Sequence, residues 1–332
     1  MPIVFDNVTI DGATINYGQL GMILNYSISN VTKTISLPLA NTVNVEVNWG
    51  DETSNTYTTS GLKSHTYASN GFYQVQITGT LTGYGSTGVG ANVTRLIDVV
   101  SFGNIGLISL QNAFANANNL TSVPAELPST INDLSYMFRR AGSVNDPNIS
   151  LWNVSNVSNL AGTFNMVTNF NQNLSSWNTT NVTSLYETFA EATSFNGNIT
   201  NWNTSNVTSL AFTFNRANTF NQPIGNWNIA NVLDIGSAFR RANTFNQPIG
   251  NWNTSKVTEA SWTFSNAFAF NQDIGNWNTG NISNMARMFS NATVFNQDLS
   301  DWCVTNIPSL PDNFDTGSAL ENINRPDWGN CP

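Results

Sequence analysis

Tryptophan returns at a fixed interval of 25 residues along the second half of the chain. The tryptophans that keep this spacing without a slip are Trp152, Trp177, Trp202, Trp227, Trp252, Trp277 and Trp302. A period between about 20 and 50 residues is typical of a solenoid, in which each repeat forms one coil and needs its neighbours to bury its apolar side. The spacing therefore predicts a stack of coils, with tryptophan as a structural column of the repeat.

Other apolar residues recur in the same register as the tryptophan. In one coil they are Val207, Leu210, Phe214, Ala217, Phe220, Ile224 and Trp227. These spacings are too irregular for a long amphipathic helix, and they predict a short strand, a single helical turn, a second extended piece and a return loop. Stacked coils would place like residues over one another about 4.8 Å apart. The coil from Ile131 is one residue longer than the others, and we expect a bulge between Asn145 and Ile149.

Asparagine also recurs in register, after the second Phe and after the Trp of each coil, as at Asn221 and Asn228. Asparagine tolerates left-handed backbone and bonds to nearby main chain, so it suits a corner. In a stack its amide can also bond the same corner of the next coil, as in a ladder. The alternative is N-glycosylation, because "NVT", "NIS" and "NLS" fit the acceptor pattern. The ladder is favoured, since acceptor patterns arise automatically in a repeat rich in Asn and Thr.

The first 90 residues have a different pattern, in which apolar and polar residues alternate in short runs. Examples are "VNVEVNWG" from Val43 to Gly50 and "FYQVQITGTL" from Phe72 to Leu81. Alternation with period 2, broken by Gly, Asn and Ser clusters, indicates half-buried antiparallel strands. This region is therefore predicted to form a β-sandwich.

Composition excludes some classes of partner. Charged residues make up 9% of the chain and the net charge is −9, so the clustered Lys and Arg of a nucleic-acid binder are missing. The sequence contains no run of about 18 apolar residues, so we expect no membrane insertion. The start, "MPIVFDNVTIDG", does not resemble a secretory signal peptide. We therefore expect either a signal that has been removed or another route outward, such as assembly into a virus particle.

The two cysteines, Cys303 and Cys331, lie where the repeat decays at the C-terminus. One interpretation is a disulfide that pins the tail over the last coil, contributing about 3–4 kcal/mol in the chain-entropy model. Such a bond would indicate an oxidising location. The alternative is two unrelated buried thiols.

No constellation for catalysis is present in the sequence. His65 is the only histidine, which excludes a multi-histidine metal site. Asp51 in "WGDE" is interpreted as a turn residue rather than a calcium ligand. Carboxylates in the repeats, such as Asp273, Glu187 and Glu191, are not paired from coil to coil as a catalytic site requires. We expect no catalytic, cofactor or metal residues, no cofactor, and no enzyme activity.

Two family resemblances follow from these motifs. The pattern "MF", "A", "FN", "W" and "NVS/NVT", met at Met288-Phe289 and in "FNQDIGNWNTGNISNM", resembles the BspA-like leucine-rich-repeat surface proteins over roughly residues 93–332. The stretch "VNWGDETSNTYTTSGLKSHTYASNGFYQVQITG" is similar to a PKD-like module, although Glu52 stands where that family usually has Gly. The resemblances imply a surface-exposed recognition or adhesion protein. They also imply a right-handed leucine-rich-repeat-type solenoid of about eight coils.

The predicted fold is thus mainly β with short helical turns. The predicted divisions are a β-sandwich module at residues 1–90 that is PKD-like (PKD/Ig-like) from about residue 40, leading and capping coils at 91–130, the regular BspA-like solenoid at 131–320 and a C-terminal cap at 321–332.

Recognition by a solenoid is expected from outward positions that differ between coils. The candidate partner-binding residues are Arg140, Glu187, Glu191, Arg216, Arg240, Arg241 and Arg287. The leading hypothesis is a non-catalytic receptor-binding or adhesion protein, extracellular or on a cell surface, that binds a protein or a glycan. The alternative is a structural virion component, such as a capsid protrusion, decoration or fibre protein, with other subunits of the particle as partners. An ice-binding protein is a more distant alternative, and a row of exposed Trp rings stacking on sugars is an alternative to a buried Trp column.

Overall fold

The computed structural model describes residues 21–29, 32–85 and 93–332, together with the backbone of two strands at 7–10 and 13–16. Within these residues the protein is mainly β, as the sequence predicts, and its helical segments are short 3₁₀ helices. The 3₁₀ helices are Val93–Arg95, Pro147–Leu151 and Asn322–Asn324.

In the described part of the chain, eight strands precede the regular repeats. They are β1 (Asn7–Ile10), β2 (Ala13–Asn16), β3 (Met22–Ile28), β4 (Thr34–Asn48), β5 (Ser54–Tyr57), β6 (Gly61–Thr66), β7 (Gly71–Tyr84) and β8 (Leu96–Ser101). The first two form a hairpin, and the other six form one antiparallel sheet in the order β5-β4-β7-β3-β8, with β6 also paired to β4.

β4 makes the six-stranded sheet continuous. Its first half, Thr34–Leu39, pairs with β6, and its second half pairs with β5 and β7. A register shift between Ala40 and Val43 and a left-handed Asn41 (φ 60°) separate the two halves. Within the described residues β3 to β8 are hydrogen-bonded into one sheet and the β1–β2 hairpin is separate, so the predicted β-sandwich stays a prediction. Alternation buries one face of the sheet, including Trp49, which is fully buried.

The sheet passes directly into the repeats. At the end of β7 the backbone N–H of Leu81 donates to Ile105 over 2.7 Å and that of Tyr84 donates to Ser109 over 3.1 Å. The Tyr84 ring lies 5.9 Å from the ring of Phe114. Residues 91–130 are predicted to be leading and capping coils, and β8 within this range pairs with β3 in the sheet.

Each repeat is hydrogen-bonded to the next. Isolated parallel bridges join equivalent residues, for example Ser184 to Ser209 and Ser209 to Asp234. The step from Asp133 to Asn159 is one residue longer, and the 3₁₀ helix Pro147–Leu151 lies in that repeat. The predicted bulge at this place is thus a helical turn, capped by Asp146, whose carboxylate accepts from the Asn148 N–H over 2.9 Å.

The segment around the first Phe of each repeat forms a backbone ladder. The N–H groups of Phe212, Phe214 and Arg216 donate to carbonyls of the following repeat over 3.0, 2.9 and 2.7 Å. Phe212 and Arg216 have left-handed backbone, with φ of 57° and 58°. Left-handed conformation costs an L-residue about 1–2 kcal/mol, which the hydrogen bonds between repeats offset. The predicted single helical turn is here a series of tight turns, closed by the N–H groups of Thr213 and Asn215, which donate to the carbonyls of Leu210 and Phe212.

Aromatic rings fill the interior of the stack. Phe214 is 1% exposed, lies 3.8 Å from Phe220 in its own repeat, and stacks on Phe189 and Phe239 of the neighbouring repeats at 5.8 and 5.6 Å. Equivalent side chains are buried in every repeat because identical neighbours lie above and below them.

The C-terminal tail closes the last repeat. Cys303 and Cys331 form a disulfide, which confirms the predicted pairing. Beside it the Val304 N–H donates to the Asn330 carbonyl over 2.8 Å, and Arg325 Nε lies 2.6 Å from Asp315 Oδ2. The tail thus satisfies backbone groups that a following repeat would satisfy inside the stack.

Candidate recognition surface

Two columns flank the first core Phe of each repeat, and together we call them the variable stripe; their residues are exposed or half-exposed except for Gly162 and Ser237, which are buried. The pre-Phe column, two residues before that Phe, consists of Tyr136, Gly162, Glu187, Phe212, Ser237, Trp262 and Arg287. The post-Phe column, two residues after it, consists of Arg140, Met166, Glu191, Arg216, Arg241, Asn266 and Asn291. Every one of these residues has a positive φ between 54° and 61°. The backbone is thus uniform along the stripe, whereas the side chains differ in size and charge.

An arginine–tryptophan–arginine sandwich occupies the C-terminal part of the stripe, which we extend to include Arg240, the residue directly after the core Phe239. The guanidinium carbons of Arg240 and Arg287 lie 4.3 and 4.5 Å from the Trp262 ring centroid, one contributed by the preceding repeat and one by the following repeat. Such contacts contribute about 0.5–2 kcal/mol each. Burial, and then repulsion from Arg241, Arg216 and Arg287, lowers the pKa of Arg240. Four arginines therefore act on one small region of an acidic protein.

A groove lies beside this sandwich. Glu191 and Arg216 form an ion pair at 3.1 Å across neighbouring repeats, with side chains 30% and 41% exposed. Arg241, the next residue in the post-Phe column, is exposed and has no carboxylate partner among the described residues. An exposed pair of this kind contributes little to stability, so these charges are available for recognition.

Tyrosines and one carboxylate form the N-terminal part of the stripe. The ring of Tyr136 covers Gly162, where an added Cβ would lie 2.2 Å from two ring carbons, and Arg139 lies over that ring at 5.7 Å. Burial, the nearby charge of Glu187 and a hydrogen bond with it raise the pKa of Tyr186 to about 12. Aromatic and charged side chains therefore alternate along this part of the surface.

The structure brings some predicted binding residues together and separates others. Glu191, Arg216, Arg240, Arg241 and Arg287 fall in neighbouring repeats around the groove and the sandwich, which gives their basic surface a common location. Glu187 belongs to the tyrosine cluster instead. Arg140 lies three repeats before Arg216 in the same column, with its Nε 3.2 Å from Met166 Sδ.

Sequence reasoning missed the aromatic residues of the stripe. Trp262, Tyr136 and Phe212 are half-exposed in the pre-Phe column, and Phe268 is 45% exposed beside the groove. The available signal was an aromatic residue outside the repeating aromatic columns, as with Trp262 at a position where other repeats have Gly or Ser.

The regular tryptophan column lies inside the stack. Its members, Trp152, Trp177, Trp202, Trp227, Trp252, Trp277 and Trp302, are at most 4% exposed. Trp202 and Trp227 stack with centroids 6.3 Å apart, and the Trp202 indole N–H donates to the Leu174 carbonyl of the preceding repeat over 3.0 Å. These rings have neither an exposed face nor a free N–H for a sugar.

Asparagines form ladders along the stack. The Asn221 N–H donates to Asn196 Oδ1 over 2.9 Å, and Asn221 Oδ1 in turn accepts from the N–H of Asn246 at 2.9 Å. In the "NVT" segment, Asn206 Nδ2 donates to the Thr180 carbonyl over 2.8 Å. The amide nitrogen that glycosylation would modify is therefore already engaged at this position.

The N-terminal sheet holds one close ionisable pair. His65 Nε2 lies 2.7 Å from Asp51 Oδ2, and the imidazole stacks on Trp49 with centroids 4.7 Å apart. Partial burial opposes ionisation of Asp51, but hydrogen bonds from Thr53 and His65 outweigh it and lower the pKa of Asp51. Asp51 thus closes a turn, and across the described part of the chain no group of three or more candidate metal ligands occurs. In the same residues no helix has the length and apolar character needed to cross a bilayer.

Stacked repeats with a uniform backbone and a variable stripe define a repeat protein. The family model described as "Mycoplasma protein of unknown function, DUF285" matches residues 108–227 and 208–328, which together span about two thirds of the chain. The chain belongs to this family. The overlap of the two matches agrees with the internal repetition. Neither a curated protein nor a solved structure matches the chain.

Proposed function

We propose that this chain is a surface-exposed, non-catalytic recognition or adhesion protein whose repeats bind a cell-surface or matrix partner, either a protein or a glycan. The observation that carries the proposal is the variable stripe. Its backbone is held by the same hydrogen bonds in each repeat, so stacking does not dictate its side chains. Arginine and tryptophan, which dominate binding hot spots, are concentrated there.

The finer architecture belongs to the same proposal. We infer a right-handed leucine-rich-repeat-type solenoid of the BspA-like kind, supported by its period and by the parallel bridges between repeats. The N-terminal sheet acts as a PKD-like spacer or anchor, supported by the "WGD" turn, where Trp49, Asp51 and His65 pack together.

The location we propose is extracellular, at a cell surface or on a virion. The disulfide between Cys303 and Cys331 supports an oxidising environment. An ice-binding role is less favoured, because the Thr column of Thr208 and Thr258 is interrupted by Leu233, and the hydroxyls of both threonines donate to backbone carbonyls.

Binding of the full chain to cells and to a panel of glycans and matrix proteins tests the proposal. The variant replaces Arg216, Arg240 and Arg241 with Ser. Its matched control replaces Lys33, Lys63 and Lys256 with Ser, which removes the same charge from outside the stripe. We expect the arginine variant to bind at least about tenfold more weakly and with less salt dependence, because charges at an interface steer and anchor the partner.

The control variant should bind as wild type does. Equal binding by both variants would contradict recognition through the stripe. Absence of binding to any cell or matrix surface, together with stoichiometric incorporation into a particle lattice, would replace the proposal with a structural virion component.

A further inference from the structure

The groove beside the post-Phe column has the dimensions of a small-ligand site. Its volume is about 520 Å³, and its lining includes Thr193, Asn218, Asn243 and Phe268 as well as Arg216 and Arg241. Sites for small ligands commonly measure about 300–1,000 Å³ and combine a few polar groups with aromatic surface. Its lining comes from successive repeats of the stack.

The charge of the groove favours an anionic ligand. Arg216 is neutralised by Glu191 at 3.1 Å, whereas Arg241 has no carboxylate within reach among the described residues. Arg240 and Arg287 lie in the sandwich around Trp262 and add to the positive potential nearby. An arginine can bind a carboxylate through two parallel hydrogen bonds. Arg241 is thus the residue in the groove that is free to bind one acidic group.

The remaining lining favours hydroxyls over further charges. Thr193, Asn218, Asn243 and Asn266 line the groove with uncharged hydroxyl and amide groups, and Asn243 Nδ2 lies 3.4 Å from Asn218 Oδ1. Groups of this kind hydrogen-bond to the hydroxyls of a sugar. Phe268 presents an exposed ring, and aromatic rings offer an apolar face to a flat ligand.

We propose that this groove binds a carboxylated sugar of an acidic glycan. The sugar carboxylate pairs with Arg241, a sugar hydroxyl hydrogen-bonds to the side-chain amide of Asn218, and the apolar face of the sugar packs on Phe268. This assignment rests on the proposed recognition function and names its ligand class. An acidic peptide fits less well, because a run of carboxylates needs several unpaired cations and the groove itself offers one.

Calorimetric titration of the full chain tests the assignment. The probes are 3′-sialyllactose, a glucuronic-acid tetrasaccharide, the methyl ester of each, lactose and polyglutamate. We expect at least one acidic sugar to bind at least tenfold more tightly than its methyl ester, which keeps the shape and removes the charge. Arg241→Gln and Asn218→Ala should each weaken that binding about tenfold, whereas Lys256→Asn, which removes a charge elsewhere and restores the asparagine of the repeat, should not.

The results that overturn the inference differ from those that overturn the proposed function. Equal binding of acid and ester, unchanged binding by Arg241→Gln, no binding of either acidic sugar, or a preference for polyglutamate would remove the acidic-sugar site. If cell binding persists and still depends on the stripe arginines, recognition by the stripe stands without this ligand. If the triple arginine variant kept both its cell binding and its sugar binding, the acidic-sugar site and recognition by the stripe would both be refuted.

Discussion

Replacing Phe214 with alanine would empty the centre of the aromatic core. The ring is 1% exposed and contacts Phe220 at 3.8 Å, with Phe189 and Phe239 stacked on it from the neighbouring repeats at 5.8 and 5.6 Å. Removing a buried phenylalanine costs about 3–5 kcal/mol through lost burial and the cavity left behind. Aromatic pairs add about 0.5–1.5 kcal/mol each beyond burial, so we expect a cost of about 4–5 kcal/mol.

The matched control is Phe268→Ala, the same chemical change at a side chain that is 45% exposed. Most surface substitutions change stability by about 0.5 kcal/mol or less. Guanidinium denaturation followed by tryptophan fluorescence would compare the two variants. Hydrogen exchange with mass spectrometry would locate the damage, because a stack of repeats need not unfold in one step.

Exchange should accelerate in the mutated repeat and in those of Phe189 and Phe239, while β3 and β7 stay protected, since coupling in a stack passes between nearest neighbours. If the denaturation midpoint of Phe214→Ala coincided with that of Phe268→Ala, the role of this column in stability would be refuted. Faster exchange confined to the mutated repeat would refute the coupling between neighbours.

Two further predictions concern the tail and the stripe. Cys331→Ser should loosen the tail first, so hydrogen exchange should accelerate at the Val304 N–H, which donates to the Asn330 carbonyl, while exchange in β7 is unaffected. An unchanged exchange rate at Val304 would show that the disulfide does not hold the tail. Gly162→Ala should cost about 1–2 kcal/mol and alter the near-ultraviolet circular dichroism of Tyr136, because the residue has φ of 60° and its Cβ would meet that ring at 2.2 Å. Gly142→Ala, whose Cβ would meet Thr168 only at 3.4 Å, is its control, and equal stability of the two variants would contradict the clash.

Periodicity predicts which residues of the repeats are buried. Phe214, Phe220 and Trp227 recur because each must pack against the equivalent residue one repeat away, so burial leaves a signal in the order of residues. The same reasoning predicts the asparagine ladder, since an asparagine at a repeated corner can hydrogen-bond to the equivalent asparagine of the next repeat. Periodicity does not predict the left-handed backbone at Phe212 and Arg216, because neither residue is a glycine, the usual sequence signal for a positive φ.

The candidate site was predictable in its position but not in its contacts. Variation in charge beside the core Phe pointed to Arg216, Arg240, Arg241 and Arg287. Which of them is paired depends on side chains about 25 residues away in the sequence, as with Glu191 and Arg216. Trp262 contacts two of these arginines, Arg240 and Arg287, and no local sequence pattern indicates these contacts.

The sequence alone determined the repeat and its buried columns, because both follow from spacing along the chain. It left the pairing of Cys303 with Cys331 as one of two interpretations, and the structure shows the disulfide. The tertiary structure alone decided that β8 joins the sheet. It also decided that Arg241, which lines the groove, has no carboxylate partner among the described residues. The physical reason is that burial repeats with the period, whereas pairing depends on the backbone conformation and side-chain directions that bring different repeats into contact.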